Sequence, residues 1–180
     1  IFAYFLLLSE IVLELNYFYS LDSSSVVDCC GSIFSTTDGS YMAYLLSSDF
    51  SYQLGAFYLL FGVMVLFYLL KNRYLFALTN LLFVIVSLIT LISFFGTYIY
   101  ELPTHHCPFC LLQSDYNYIG YFLYLFLFLG TFNGISLGLL AFEKERQKKK
   151  YIYALIFNTL YLLCVSYFPL TYYIKNGMWL

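Results

Sequence analysis

The stretch Leu81-Leu-Phe-Val-Ile-Val-Ser-Leu-Ile-Thr-Leu-Ile-Ser-Phe-Phe95 is apolar on every side. Wound as a helix it offers water no polar stripe, and it lacks the strict in-and-out alternation that a membrane β-strand requires. A helix satisfies its own backbone amides, which is what hydrocarbon demands of any segment that crosses it. Helical spans, not a barrel, are therefore expected.

Outward from this stretch, five segments have the same character: Ile1–Tyr19, Tyr52–Leu70, Tyr74–Tyr100, Tyr118–Phe142 and Tyr151–Ile174. They run from 19 to 27 residues, against the roughly 17–25 that a bilayer core asks of a helix. The expected fold is an all-α polytopic membrane bundle of five transmembrane helices, one domain over residues 1–180 with outer loops at 20–51 and 101–117. Composition agrees. The chain is 62% hydrophobic and 10% charged, whereas soluble globular domains are about 25% charged. A net charge of −2 and the lack of a clustered basic domain exclude nucleic-acid binding. No phosphate-cradling Gly-rich loop and no dinucleotide fingerprint are present.

Charge placement predicts orientation. Lys71 and Arg73 occupy one connection, and Lys144, Arg146, Lys148, Lys149 and Lys150 another. The excess of positive charge in short cytoplasmic loops places both inside, with the amino terminus. The other two connections hold Asp22, Asp28, Asp38, Asp49, Glu101 and Asp115 but no Lys or Arg, and are expected outside. Lys175 is the exception, with Tyr172, Tyr173 and Trp179 as interfacial anchors at that end. An integral protein of a bacterial inner membrane, its cysteine loops periplasmic, fits this pattern.

Four of the five cysteines fall on the outer loops: Cys29 and Cys30 on the first, Cys107 and Cys110 on the second. Cys164, alone in the fifth span, reads as a small buried hydrophobe. The second loop contains His105-His106-Cys107-Pro108-Phe109-Cys110. A C-x-x-C spacing brings two sulfurs close enough to form a disulfide or to chelate one ion. Pro108 suits a first helical position, so Cys107 is expected at the positive end of a helix, where a thiolate is stabilised. Cys29 and Cys30 are adjacent, and a bond between them would close a strained ring. Three readings remain open: a structural disulfide between the loops, thiol–disulfide exchange between the two pairs, and binding of zinc or copper by His105, His106, Cys107 and Cys110.

The loop Asp28-Cys29-Cys30-Gly31-Ser32-Ile33-Phe34-Ser35, a following helix with Gly55 and Gly62, and a late Cys-Pro-Phe-Cys before the fourth span resemble the vitamin K epoxide reductase-like family and, more distantly, the disulfide-bond formation protein B group. That resemblance implies that Cys107 and Cys110 face a quinone and that Cys29 and Cys30 are the shuttle pair. The family's loop cysteines are usually several residues apart, and the two histidines are not part of its pattern. The leading functional expectation is a membrane thiol–disulfide oxidoreductase passing electrons from exoplasmic cysteine pairs to quinone. The alternative is a non-catalytic accessory subunit of a respiratory or other energy-converting membrane complex, its His-His-Cys-x-x-Cys loop binding metal or pinned by disulfides.

Three further features carry expectations. Glu10 and Glu14 share a face of the first helix, as a proton path, a subunit contact or groups at the interface. Gly130, Gly134 and Gly138 recur every four residues and allow a helix, from this chain or another membrane subunit, to approach closely, with Asn133 bonding across that contact. Gln113, Ser114, Asp115 and Asn117 read as a solvated helix end or turn.

Overall fold

The computed structural model describes residues 10–15, 50–103 and 105–180. Regular structure among them is helical throughout, and four helices are long and apolar enough to cross a membrane: α1 Phe50–Leu69, α2 Arg73–Tyr100, α3 Ile119–Leu139 and α4 Lys144–Asn176. These match the last four expected spans. The expected first span lies largely outside the described residues; Glu10 to Leu15 within it are helical and exposed.

Each boundary has a local cause. After α1 the chain turns through Lys71 at φ 53°, a left-handed conformation that costs a residue with a Cβ about 1–2 kcal/mol. Two backbone bonds offset that cost, Lys71 N–H to the Tyr68 carbonyl at 3.1 Å and Asn72 N–H to the Phe67 carbonyl at 3.2 Å, the paired closure that ends many helices. Asn72 then caps α2, its side chain accepting from Leu75 N–H at 3.3 Å. The tight connection makes α1 and α2 antiparallel neighbours. Within α2 one π-turn spans Leu91–Phe95, and the following Gly96 lies where an added Cβ would stand 2.8 Å from the Leu91 carbonyl oxygen. Pro169 sits inside α4 without ending it.

The helices pack in chain order, α1 on α2, α2 on α3 and α3 on α4. Their outer faces carry exposed Leu, Ile, Phe and Tyr from end to end, including Leu59, Leu82, Phe128 and Leu163, as lipid contact requires and water does not permit. The core is aromatic: Phe57 stacks on Phe83 at 5.3 Å and meets Phe95 edge-on at 5.4 Å, with Tyr161 closing the group from α4.

All four helices meet at a polar node. Asn158 of α4 donates from Nδ2 to Asn80 Oδ1 of α2 at 2.9 Å and lies 3.4 Å from Met64 Sδ of α1. Asn80 Nδ2 in turn donates to the Phe76 carbonyl at 2.8 Å. The α3 glycines make room for it: an added Cβ would lie 2.3 Å from Asn80 Cγ at Gly134, 2.2 Å from Asn158 Oδ1 at Gly130 and 2.6 Å from Ala77 Cβ at Gly138. Of the two neighbours left open by the sequence, the glycine face is therefore occupied by α2 and α4 of the same chain. Asn133 does not bond across the contact; its Nδ2 returns to the Leu129 carbonyl of its own helix at 2.8 Å.

Gly134→Ala is expected to destabilise the detergent-solubilised protein by roughly 1–3 kcal/mol through overpacking, read as a lower midpoint of thermal unfolding. Gly62→Ala, where nothing among the described residues lies within 4 Å of the added Cβ, should leave the midpoint unchanged or raise it. Equal responses would contradict a node built on close approach.

Candidate functional site

The cysteine loop is built between the C-terminal end of α2 and the start of α3. Glu101 ends α2 in the left-handed region at φ 54°, and Leu102 N–H closes the end on the Thr97 carbonyl at 3.1 Å. The return to α3 uses two consecutive left-handed residues, Asn117 and Tyr118 at φ 52° and 56°. Between these points the chain makes two short 3₁₀ turns, Cys110–Leu112 and Ser114–Tyr116, with Gln113 extended between them. Leu111 seats the first turn on α3, where a Cβ on Gly120 would stand 2.8 Å from Leu111 Cβ.

Phenols hold the Cys-Pro-Phe-Cys segment from both sides. Tyr100 of α2 donates its hydroxyl to the Cys107 carbonyl, and Tyr124 of α3 donates to the Pro108 carbonyl at 2.7 Å. The Tyr100 ring also carries His105 edge-on at 4.5 Å and Tyr116 at 4.7 Å. Under this aromatic cover Cys107 and Cys110 are buried, 3% and 5% exposed, while Phe109 between them is 61% exposed. The turn thus points its sulfurs into the protein and its phenyl ring outward.

His106 is fixed from the π-turn of α2, its Nδ1 lying 3.0 Å from the Ile92 carbonyl. A carbonyl only accepts, so Nδ1 carries the proton and, in the neutral ring, the lone pair belongs to Nε2. His105 is placed differently: its Nε2 is buried with no hydrogen-bond partner. Burial pushes the Tyr116 phenol above its ordinary pKa, and negative charge on Cys110 or Asp115 acts in the same direction.

Cys107, Cys110, His105 and His106 are thus gathered in one loop. The expectation that Cys107 opens a helix is corrected. It precedes a turn, the helical geometry that starts at Cys110 lasts three residues, and extended Gln113 and left-handed Asn117 and Tyr118 break the path to α3. No helix dipole is available there to stabilise a Cys107 thiolate. Among the described residues no group of three or more His, Cys, Asp and Glu side chains converges as a metal site would. Cys29 and Cys30 lie outside the described residues. The polar stretch after Cys110 forms the expected turn, with Gln113, Ser114, Asp115 and Asn117 exposed. Cys164 is half-buried in α4.

Tyr100 and Tyr124 escaped the sequence reading. With 21 tyrosines in the chain, no single one carried a signal; only C-x-x-C anchored between two helix ends picks out the pair. Comparison of the chain with protein-family models, curated proteins and solved structures found no match.

Tyr124→Phe removes one of the two clamps. A hydrogen bond is worth about 1 kcal/mol, or roughly a fivefold change in an opening equilibrium, so Cys107 and Cys110 should react several-fold faster with a water-soluble maleimide. Unchanged labelling would mean that the phenol does not hold the turn closed.

Proposed function

We infer that the protein is a membrane thiol–disulfide oxidoreductase in which Cys107 and Cys110 deliver electrons to a quinone. In this reading the chain is a five-span protein of a bacterial inner membrane, amino terminus cytoplasmic, cysteine loops periplasmic, with Ile1–Tyr19 as the first span. The observation that carries it is the sealing of both C-x-x-C sulfurs under Tyr100, Tyr116 and Tyr124 at the end of an apolar bundle. Aqueous oxidants are kept from such thiols, whereas an acceptor dissolved in the bilayer approaches from the apolar side. The resemblance in cysteine order points to the same acceptor.

The buried His105 Nε2, lacking a partner, suits a quinone carbonyl oxygen as hydrogen-bond acceptor when that nitrogen carries the proton. A bound quinone supplies a two-electron, two-proton sink. The chain's own contribution is to close one S–S bond between Cys107 and Cys110, releasing two electrons and two protons. Re-reduction is thiol–disulfide exchange: a thiolate at Cys29 or Cys30 attacks the new disulfide to give a mixed disulfide, and the two thiols of a dithiol substrate then displace it in turn, so that the substrate leaves as a disulfide and Cys107, Cys110 and the loop cysteine return to thiols.

A second reading draws on the same orphan nitrogen. In it the protein is a non-catalytic subunit of an energy-converting membrane complex whose loop of His105, His106, Cys107 and Cys110 binds zinc or copper; these four side chains do not converge as they stand, so this reading requires the loop to rearrange and the first-loop cysteines to complete the ligand set.

Thiol counting on the purified, lipid-reconstituted protein separates the two. On addition of a short-chain quinone, the redox reading expects the Cys107/Cys110 thiol pair to be lost with one quinol formed per pair. Cys107→Ser and Cys110→Ser should abolish both changes while the helical circular dichroism is retained. Near-stoichiometric zinc or copper lost on His105→Ala, together with thiols inert to quinone, would instead establish the metal subunit.

A further inference from the structure

At the opposite end of the bundle, where α1 turns into α2 and α3 into α4, lies a hollow of about 650 Å³ lined by Tyr68, Leu69, Lys71, Lys144, Gln147, Lys148 and Tyr151. We propose that it binds the phosphate of an anionic phospholipid headgroup. The sequence Lys144-Glu-Arg-Gln-Lys-Lys-Lys-Tyr151 builds one wall by helical periodicity: positions 144, 147, 148 and 151 share a face of α4. Lys71, turned out by its left-handed backbone, faces them from the α1–α2 connection. A second hollow, sharing Lys71 and Gln147, adds Arg73.

Three independent observations point to an anion. Among the described residues no carboxylate lines either hollow; Glu143 and Glu145, the nearest in sequence, are absent from both walls. The first turn of α4 opens there with no side-chain cap, leaving amide donors and the positive end of the helix dipole. Tyr151, 7% exposed, has a buried hydroxyl with no hydrogen-bond partner. Lys150, by contrast, turns away from the hollow, donating to Ser136 Oγ at 2.9 Å and lying over the Phe142 ring at 4.7 Å.

The bilayer, rather than solution, is the source of the phosphate because of where the hollow stands. The 33 residues of α4 measure about 50 Å at about 1.5 Å per residue, and the hydrocarbon core is about 30 Å thick. The basic first two turns of α4 therefore project into the headgroup layer. Leu69 in the wall and Leu66 three residues earlier, both exposed on one face of α1, continue it toward the apolar middle, where an acyl chain would lie. Basic pockets between spans recognise anionic headgroups by this combination.

The test uses the full chain in phosphatidylcholine nanodiscs with graded phosphatidylglycerol, measuring retained lipid by native mass spectrometry. The wild type should enrich phosphatidylglycerol. Lys144→Gln with Lys148→Gln should lower that preference by about fivefold per lysine, following the contribution of one cation near an anionic surface. Lys149→Gln, outside the hollow, should reduce it far less, and Tyr151→Phe should weaken it with the charge intact. Equal losses in the Lys149 variant and the double variant would reduce the effect to surface charge and overturn the proposal. So would inorganic phosphate binding the detergent-solubilised protein as tightly as the lipid does, which would make this a soluble-phosphate site. Helical circular dichroism identifies any variant that fails to fold, and the single Lys148→Gln change then replaces it.

Discussion

The fold turns on one constraint: the amides of Asn80 and Asn158 are buried among apolar helices, and the alignment of α2 with α4 provides the Asn158 Nδ2 to Asn80 Oδ1 bond while Asn158 Oδ1 is left unpaired among the described residues. Lipid tails are as apolar as leucine, so helices in a bilayer gain little from burying apolar surface against one another, and close packing and hydrogen bonds decide how they associate. The Asn158–Asn80 bond is worth only about 0.6–2 kcal/mol as an attraction. A slip in register would cost more, since each unsatisfied buried amide group carries a penalty of about 1–3 kcal/mol. The pair therefore selects one alignment more than it adds stability. Gly130 and Gly134 complete the selection, because no other residue fits where their Cβ atoms would meet the two amides.

That alignment reaches the cysteine loop through α2. With α2 fixed against α3 at Asn80 and Gly134, Tyr100 and Tyr124 stand at the end of the bundle where each can hold one carbonyl of the Cys-Pro-Phe-Cys turn. The π-turn at Leu91–Phe95 supplies the carbonyl that orients His106. Irregular backbone is tolerated at this depth only when covered by protein, and here the loop covers it. The two ends of the molecule consequently differ in chemistry. One presents thiols and imidazoles beneath aromatic rings, the other lysines around an open hollow. A protein that moves electrons at one face and grips lipid at the other would hold its reactive end at a fixed depth, which connects the two proposals physically while each keeps its own test.

Much was legible in the residues themselves. Leu81–Phe95 determined helical spans, because a segment apolar on every side lacks the alternation a barrel strand needs and only a helix satisfies its backbone alone; helices stand over four of the expected spans, the last beginning at Lys144, seven residues before the expected Tyr151. The spacing of Gly130, Gly134 and Gly138 announced a close helix contact, and the C-x-x-C spacing announced paired sulfurs. The sequence could not name the partner of the glycine face, since small residues permit approach from any helix. Nor could it show that Asn80 and Asn158, 78 positions apart, share a bond while Asn133 does not. Helical geometry at the cysteines was misjudged for a related reason: Pro108 permits a helix start, but left-handed Asn117 and Tyr118 and extended Gln113 answer to the docking of Leu111 on Gly120. Local chemistry determined what each segment is, because solvation acts on every residue separately. Which segments touch, and which tyrosines of 21 become clamps, only the tertiary structure decided, because those choices depend on shape complementarity between surfaces distant along the chain.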